Sequence, residues 1–236
     1  MSDHRFFYET IANEFDSLIN SFDLRRRLSI IFDELLLDDL TGLRTLDLGC
    51  GSGWFSQRAR ERGARLVSMD ISYTLTSIAR RRVGAAAVTA DAGALPFATS
   101  SVDRIISSEM LEHLSQPSQG IQEMARVLAP GGVMILTTPN RRWLWLVNLA
   151  TQLKLRPFEG YENFLGFEEL HRLFTQHGLV VEQHCGFHPW PFQIAFLQAL
   201  SDRVDHSYGR SRWAAYMINQ AVQVRKPKHD IVHSRQ

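Results

Sequence analysis

Apolar residues recur at helical spacing through the first forty positions: Phe6, Phe7, Ile11, Phe15, Leu18 and Ile19, then Leu28, Ile30, Ile31, Leu35 and Leu36. That period predicts a helical segment over residues 1–40, with Ser21 or Asp23 capping its second helix. From Leu43 the pattern changes to short, continuously apolar runs alternating with helical ones. Strands are expected at Arg44–Leu48, Arg65–Met69, Ala86–Thr89, Val102–Ser107 and Val133–Thr138. Between them lie expected helices at Trp54–Arg62, Leu75–Val83 and Ser118–Leu128, closed by Gly63, Gly84 and Pro130-Gly131-Gly132. The strands are too apolar to keep a wet face. The alternation therefore predicts an α/β fold: a mostly parallel sheet covered by helices on both faces.

Residues 140–166 break the rhythm with an apolar stretch, RRWLWLVNLATQLKLRPF, margined by Arg141, Arg142, Lys154 and Arg156. A helix over Phe167–His177, a strand over Leu179–Cys185, a helix over Pro191–Val204 and a last strand in AVQVRKP should follow. The expected organisation is a single domain over 1–236. It divides into a helical cap (1–40), a core (41–139), an insert (140–166), the rest of the fold (167–228) and a polar tail (229–236).

Composition changes this picture little. Apolar residues make up 44% and charged residues 22%, ordinary for a globular chain. A formal net charge of +1 offers no global field for nucleic acid, and the runs Arg25–Arg27 and Arg80–Arg82 read as solvated helix faces. The two cysteines, Cys50 and Cys185, form no Cys-x-x-Cys pair. With no secretory pattern at the start and no apolar run of spanning length, the expected location is the cytoplasm.

The chemistry-bearing feature is LDLGCGSGW, Leu46–Trp54. Glycines at the carboxyl end of a first strand let a ligand touch bare main chain beside the free N–H groups of the next helix. A dinucleotide fingerprint would need glycine at Trp54, and the spacing is instead G-x-G-x-G with Asp47 just ahead. Asp70 ends the second strand, where a carboxylate can hold a ribose diol.

These motifs resemble class I S-adenosylmethionine-dependent methyltransferases. LDLGCGSG resembles their first motif, Asp70 their ribose-binding acid, and Asp91-Ala92 with LPF (95–97) the segment that meets adenine. VDRIISSEMLEHL (102–114) resembles their fourth-strand motif and RVLAPGGVMILTTPN (126–140) the next helix, turn and strand. Within the class the chain is similar to the ubiquinone and menaquinone methyltransferase (methyltransferase type 11) subgroup, as is its FFYETIANEFD opening. The resemblance implies a Rossmann-like, doubly wound, seven-stranded sheet with an N-terminal helical cap and a lid insert after the fifth strand. It implies S-adenosylmethionine as cofactor, with Asp47, Gly49, Cys50, Gly51 and Gly53 at its methionine end and Asp70 on the ribose. Ile71 and Ala92 would lie against adenine, Asp91 would take the adenine amino group, and Ser107 would sit beside the methionine moiety. Tyr8 would close the top of the cavity, or be a surface aromatic of an amphipathic helix.

Transfer of a sulfonium methyl requires mainly alignment and exclusion of water; a hydroxyl acceptor also needs a base. Glu109, Glu112 and His113 stand at i, i+3 and i+4, one face if the segment is helical. Glu109 and His113 are therefore the candidate catalytic residues, and Glu109, Glu112 and His113 a candidate divalent-metal set, with His184 or His188 as a fourth ligand. The same E-x-x-E-H spacing resembles the metal motif of some methyltransferases of the class. The acceptor should be a small aromatic or apolar molecule bounded by Trp143, Trp145, Tyr161, His188 and Trp190. The expected reaction is methylation at oxygen. The alternatives are N- or C-methylation of a natural product or lipid-like quinone precursor, or a regulatory protein that holds the cofactor without turnover. Peripheral membrane contact through the insert is a further reading; nucleic acid is not expected as a partner, and the oligomeric state is open.

Overall fold

The computed structural model describes residues 7–152 and 162–228. Short helices open the chain: α1 (Phe7–Ile11), α2 (Phe15–Leu18) and α3 (Ser21–Ser29), the last running into a π-helical turn at Ile30–Leu35. Asn20 caps α3 by accepting from the backbone N–H groups of Phe22 and Asp23, one residue ahead of Ser21 and three ahead of Asp23, the expected caps.

The core then alternates: β1 (Arg44–Leu48), α4 (Trp54–Glu61), β2 (Arg65–Asp70), α5 (Tyr73–Val83), β3 (Ala86–Thr89), β4 (Val102–Ser108), α6 (Pro117–Val127) and β5 (Leu128–Pro139). After α7 (Leu144–Gln152) come α8 (Phe167–Gln176), β6 (Val180–Phe187), α9 (Gln198–Tyr208) and β7 (Asn219–Arg225). Among the described residues these strands form one seven-stranded sheet in the order β3-β2-β1-β4-β5-β7-β6. Only β7 runs antiparallel to its neighbours. Strand order reverses between β1 and β4, whose pairing aligns Asp47 with Ile106. Ligands of open sheets bind at the carboxyl ends beside such a switch.

The strand period of two divides the core. On one face Leu46, Leu48, Ile105, Met134 and Leu136 meet Ile121 and Met124 of α6 and Leu170 and Phe174 of α8. On the other, Ile106, Val133 and Ile135 meet Ile31, Phe32 and Leu35 of the N-terminal segment and Phe55 and Ala59 of α4. Phe32 and Phe174 are fully buried, about 2–3 kcal/mol each of apolar transfer.

Two expectations need adjustment. The fifth strand begins at Leu128 and not at Val133, because the Pro130-Gly131-Gly132 segment pairs with the end of the chain's last strand and forms no separate turn after the helix: Gly131 N–H donates to Lys226 O and Lys226 N–H to Gly132 O. The helix expected from Pro191 begins only at Gln198, after a 3₁₀ turn at Ala195–Leu197. No described helix is long and apolar enough to cross a membrane.

Candidate functional site

The glycine loop lies where β1 ends. Gly49 and Cys50 N–H both donate to Met69 O, at 2.8 and 2.9 Å, which ties the loop to the end of β2. Asp70 accepts Gly51 N–H at 2.9 Å and Ser72 N–H at 3.0 Å on its two carboxylate oxygens. Burial nevertheless pushes its carboxyl up, against those N–H groups. At Gly49 (φ +74°) an added Cβ would stand 2.4 Å from Met110 Cγ, and at Gly51 (φ +51°) 2.9 Å from the Phe15 ring. Both positions need left-handed backbone and bare space together.

Beside the loop lies a cavity of about 540 Å³. Tyr8, Gly49, Cys50, Gly51, Asp70, Ile71, Asp91 and Ala92, all expected cofactor contacts, line it. Asp91 accepts Gly93 N–H at 2.8 Å, and Gln119 Nε2 donates to Gly93 O at 2.9 Å. Three expected contacts lie elsewhere. Asp47 is buried behind the loop, its carboxylate accepting Ser56 Oγ–H, which in turn meets Ser68 Oγ at 2.6 Å; burial lifts its carboxyl to about 7. Gly53 caps α4 against Ala79 of α5 and does not line the cavity. Ser107 faces away, and its neighbour Ser108 lines the cavity instead, because successive strand residues point to opposite faces.

The N-terminal helices roof this cavity. Tyr8 Oη is 2.7 Å from His113 Nε2. Glu9 accepts from Ser72 Oγ, Thr74 N and Thr74 Oγ1 at the start of α5, and these bonds hold its carboxyl below the usual range. Asp16 takes Ser52 Oγ, Trp54 Nε1 and the Arg82 guanidinium. Arg82 also lies 4.0 Å over the Trp54 ring.

Across the cavity the segment after β4 is not an α-helix. Glu109 has φ +52°, its N–H donating to Thr137 O at 3.0 Å, and only a 3₁₀ turn follows at Leu111–His113. Glu109, Glu112 and His113 therefore do not share a helical face. Glu112 Oε2 accepts Thr138 Oγ1 at 2.9 Å; Glu109 Oε2 accepts Asn219 Nδ2 at 3.3 Å, and Glu109 Oε1 is buried without a partner. Burial, then the charge of Glu112, lifts Glu109 to about 8; burial lifts Glu112 to about 7. Arg27, reaching in from α3, opposes both shifts, with Nη1 on Ser108 Oγ at 3.0 Å and Nε on Asp23 at 2.9 Å.

The expected metal set does not assemble. Among the described residues no group of three or more His, Cys, Asp or Glu converges to hold an ion. His113 turns to Tyr8, and His184 stacks on Phe167 with centroids 3.3 Å apart, burial pushing its pKa down to about 4. His188, fully buried, meets Asp23 Oδ1 at 3.0 Å through ring Nε2, and its backbone N–H donates to Asp205 Oδ1.

The expected acceptor wall is also displaced. His188 and Trp190 do not line the cavity; His188 instead meets Asp23 of α3 and Asp205 of α9. Trp143 and Trp145 stack on each other outside it, and Tyr161 lies outside the described residues. The apolar wall is made instead by Phe15, Ile19, Leu24, Phe55, Leu114 and Phe164. Phe15 and Ile19, four apart, carried an amphipathic signal, but nothing local says which element their face meets.

The family described as "Methyltransferase domain" matches residues 46–136, from the glycine loop to β5. The biotin biosynthesis bifunctional protein BioHC of Cellvibrio japonicus is 32% identical over 188 residues, covering 73% of the chain and 37% of that protein. A ubiquinone biosynthesis O-methyltransferase of Xanthomonas oryzae pv. oryzae is 36% identical over 109 residues, covering 44% of the chain and 46% of that protein. The chain thus spans less than half the length of either relative. An S-adenosylmethionine-dependent methyltransferase structure from Thermotoga maritima superposes with TM-score 0.72 at 18% identity, covering 95% of the chain and all (100%) of that structure; this likeness shows the fold.

Proposed function

We propose, on the likeness of residues 46–136 to the methyltransferase-domain family, that the chain transfers a methyl group from S-adenosylmethionine to an oxygen of a small aromatic or apolar acceptor. One observation carries the reading. The glycine loop, Asp70 and Asp91 bound the same cavity as Glu109, Glu112, His113 and the apolar side chains Phe15, Leu24 and Phe55. Cofactor and acceptor would meet there within one enclosure of ordinary small-molecule size. The groups suit S-adenosylmethionine: a loop of left-handed glycines at Gly49 and Gly51, with Met110 and Phe15 packed where a Cβ would stand, and carboxylates at Asp70 and Asp91 for the ribose hydroxyls and the adenine amino group.

When bound, S-adenosylmethionine supplies an electrophilic methyl. The protein's part is to align the acceptor oxygen, exclude water and receive a proton. His113 is the proton acceptor in this reading. Its imidazole lines the cavity, with Nε2 2.7 Å from the Tyr8 oxygen, and takes the acceptor's proton. Glu109, lifted to about 8, holds its own proton at neutral pH and serves as a hydrogen-bond donor rather than a base. The relatives named as O-methyltransferases support oxygen as the target atom. A panel of phenols, catechols, carboxylic acids and amines, incubated with methyl-labelled cofactor, tests this. Label in a methyl ether or ester is expected. Label only on nitrogen or carbon, or cofactor binding with no product, would overturn the oxygen assignment or turnover itself.

A further inference from the structure

A second feature lies outside the cavity, where β5 ends and β7 begins. Trp143 and Trp145 stack with ring centroids 6.5 Å apart, and Trp143 Nε1 donates to Tyr216 O at 2.9 Å. The Tyr216 ring stands 5.9 Å from that of Trp213. Arg142 lies 4.4 Å over Tyr216 and Arg212 5.4 Å over Trp213. Two distant chain segments thus build one row of rings interleaved with guanidinium groups. The row is open to solvent: Trp145 is 62%, Trp213 50%, Tyr216 54% and neighbouring Leu149 42% exposed. Arg141 is paired with Glu169, whereas neither Arg142 nor Arg212 meets a carboxylate among the described residues.

We infer that this row is a docking face for a bilayer carrying anionic headgroups. The exposed rings together offer roughly 400 Å², about half of the 800 Å² or so per partner that a stable protein interface needs. A bilayer sets no such threshold. Indole and phenol rings settle at headgroup depth with their bodies in the acyl boundary, and unpaired guanidinium groups at the same level meet lipid phosphates. Pro139, at the end of β5, lines the cavity and precedes Trp143 by one short turn, so docking sets a cavity wall beside the lipid. The inference stands on the surface alone and does not depend on methyl transfer.

The test is co-sedimentation of the full chain with phosphatidylcholine vesicles, with and without phosphatidylglycerol, followed also by tryptophan emission. Binding and a blue shift are expected only with phosphatidylglycerol and should be reversed by high salt. Arg142→Gln with Arg212→Gln should weaken partitioning about thirtyfold (about 2 kcal/mol). Trp213→Ser should reduce the blue shift. Circular dichroism checks that each variant is folded; should the double variant unfold, Arg212→Gln alone carries the charge test, with about a fivefold loss expected. No sedimentation with phosphatidylglycerol vesicles at low salt would overturn the inference, as would glutamine variants that sediment like the parent. A dimer in solution that Trp213→Ser dissociates, with no vesicle binding, would assign the face to a second copy instead.

Discussion

Tyr8 sets its hydroxyl 2.7 Å from His113 Nε2, with the two rings edge to face at 5.0 Å. The bond joins α1 to the turn after β4, across the cavity both residues line. Tyr8→Phe removes the hydroxyl and keeps the ring. A neutral hydrogen bond contributes about 0.5–1.5 kcal/mol, so kcat/KM should fall about two- to twelvefold. The Tm should stay within about 2 °C of the parent, since α1 contributes no buried residue. Steady-state kinetics beside thermal melts check both, and an unchanged pH profile of kcat/KM would count against His113 as the proton acceptor.

Asp70 is held by two backbone N–H groups and faces the cavity. Asp70→Ala should abolish measurable heat on titration with S-adenosylhomocysteine while leaving the circular dichroism spectrum intact. Binding as tight as the parent's would remove the ribose role.

Gly49→Ala places a methyl 2.4 Å from Met110 Cγ in left-handed backbone. The expected result is cofactor affinity lowered at least tenfold together with a destabilisation of about 1–3 kcal/mol. Denaturant melts and calorimetry separate the two effects.

Glu109 and Glu112 titrate at about 8 and about 7, above the ordinary value of 4.5. Between those limits the folded state binds more protons than the unfolded state. Stability therefore falls as pH rises from about 4.5 to about 8, by an amount on the order of a few kcal/mol. Glu109→Gln, which cannot ionise, should melt higher than the parent at pH 8 and show a flatter decline across that window. Melting curves at several pH values read this directly.

Asp205 accepts Arg26 Nε at 3.0 Å and His188 N–H at 2.9 Å, its side chain fully buried. Asp205→Ala leaves Arg26 with Glu34 alone and should cost about 3–5 kcal/mol, measured by chemical denaturation.

Much of this protein could be read from local order. The α/β alternation from β1 to β5 was legible because buried strands and amphipathic helices differ in period over a few residues. The glycine loop, Asp70 and Asp91-Ala92 were legible because strand ends and tight turns restrict which residues can stand there. Asp47, Ser107 and Gly53 were misplaced, since a motif says which residues occur together but not which way each one faces.

Sequence by itself thus determined the strand and helix alternation, the glycine loop and the acids at the strand ends, because local period and turn chemistry restrict which residues can stand there. Tertiary structure alone decided three things. Phe15, Ile19, Leu24 and Arg27 became cavity wall only when the N-terminal helices packed over β4. Glu109 took left-handed backbone because Thr137, on the neighbouring strand, captured its N–H, and that broke the helical face suggested by its spacing to His113. Trp143 and Tyr216 met because β5 and β7 pair antiparallel. Each of these depends on an element distant in the chain, and no period or propensity near the residue carries information about that partner.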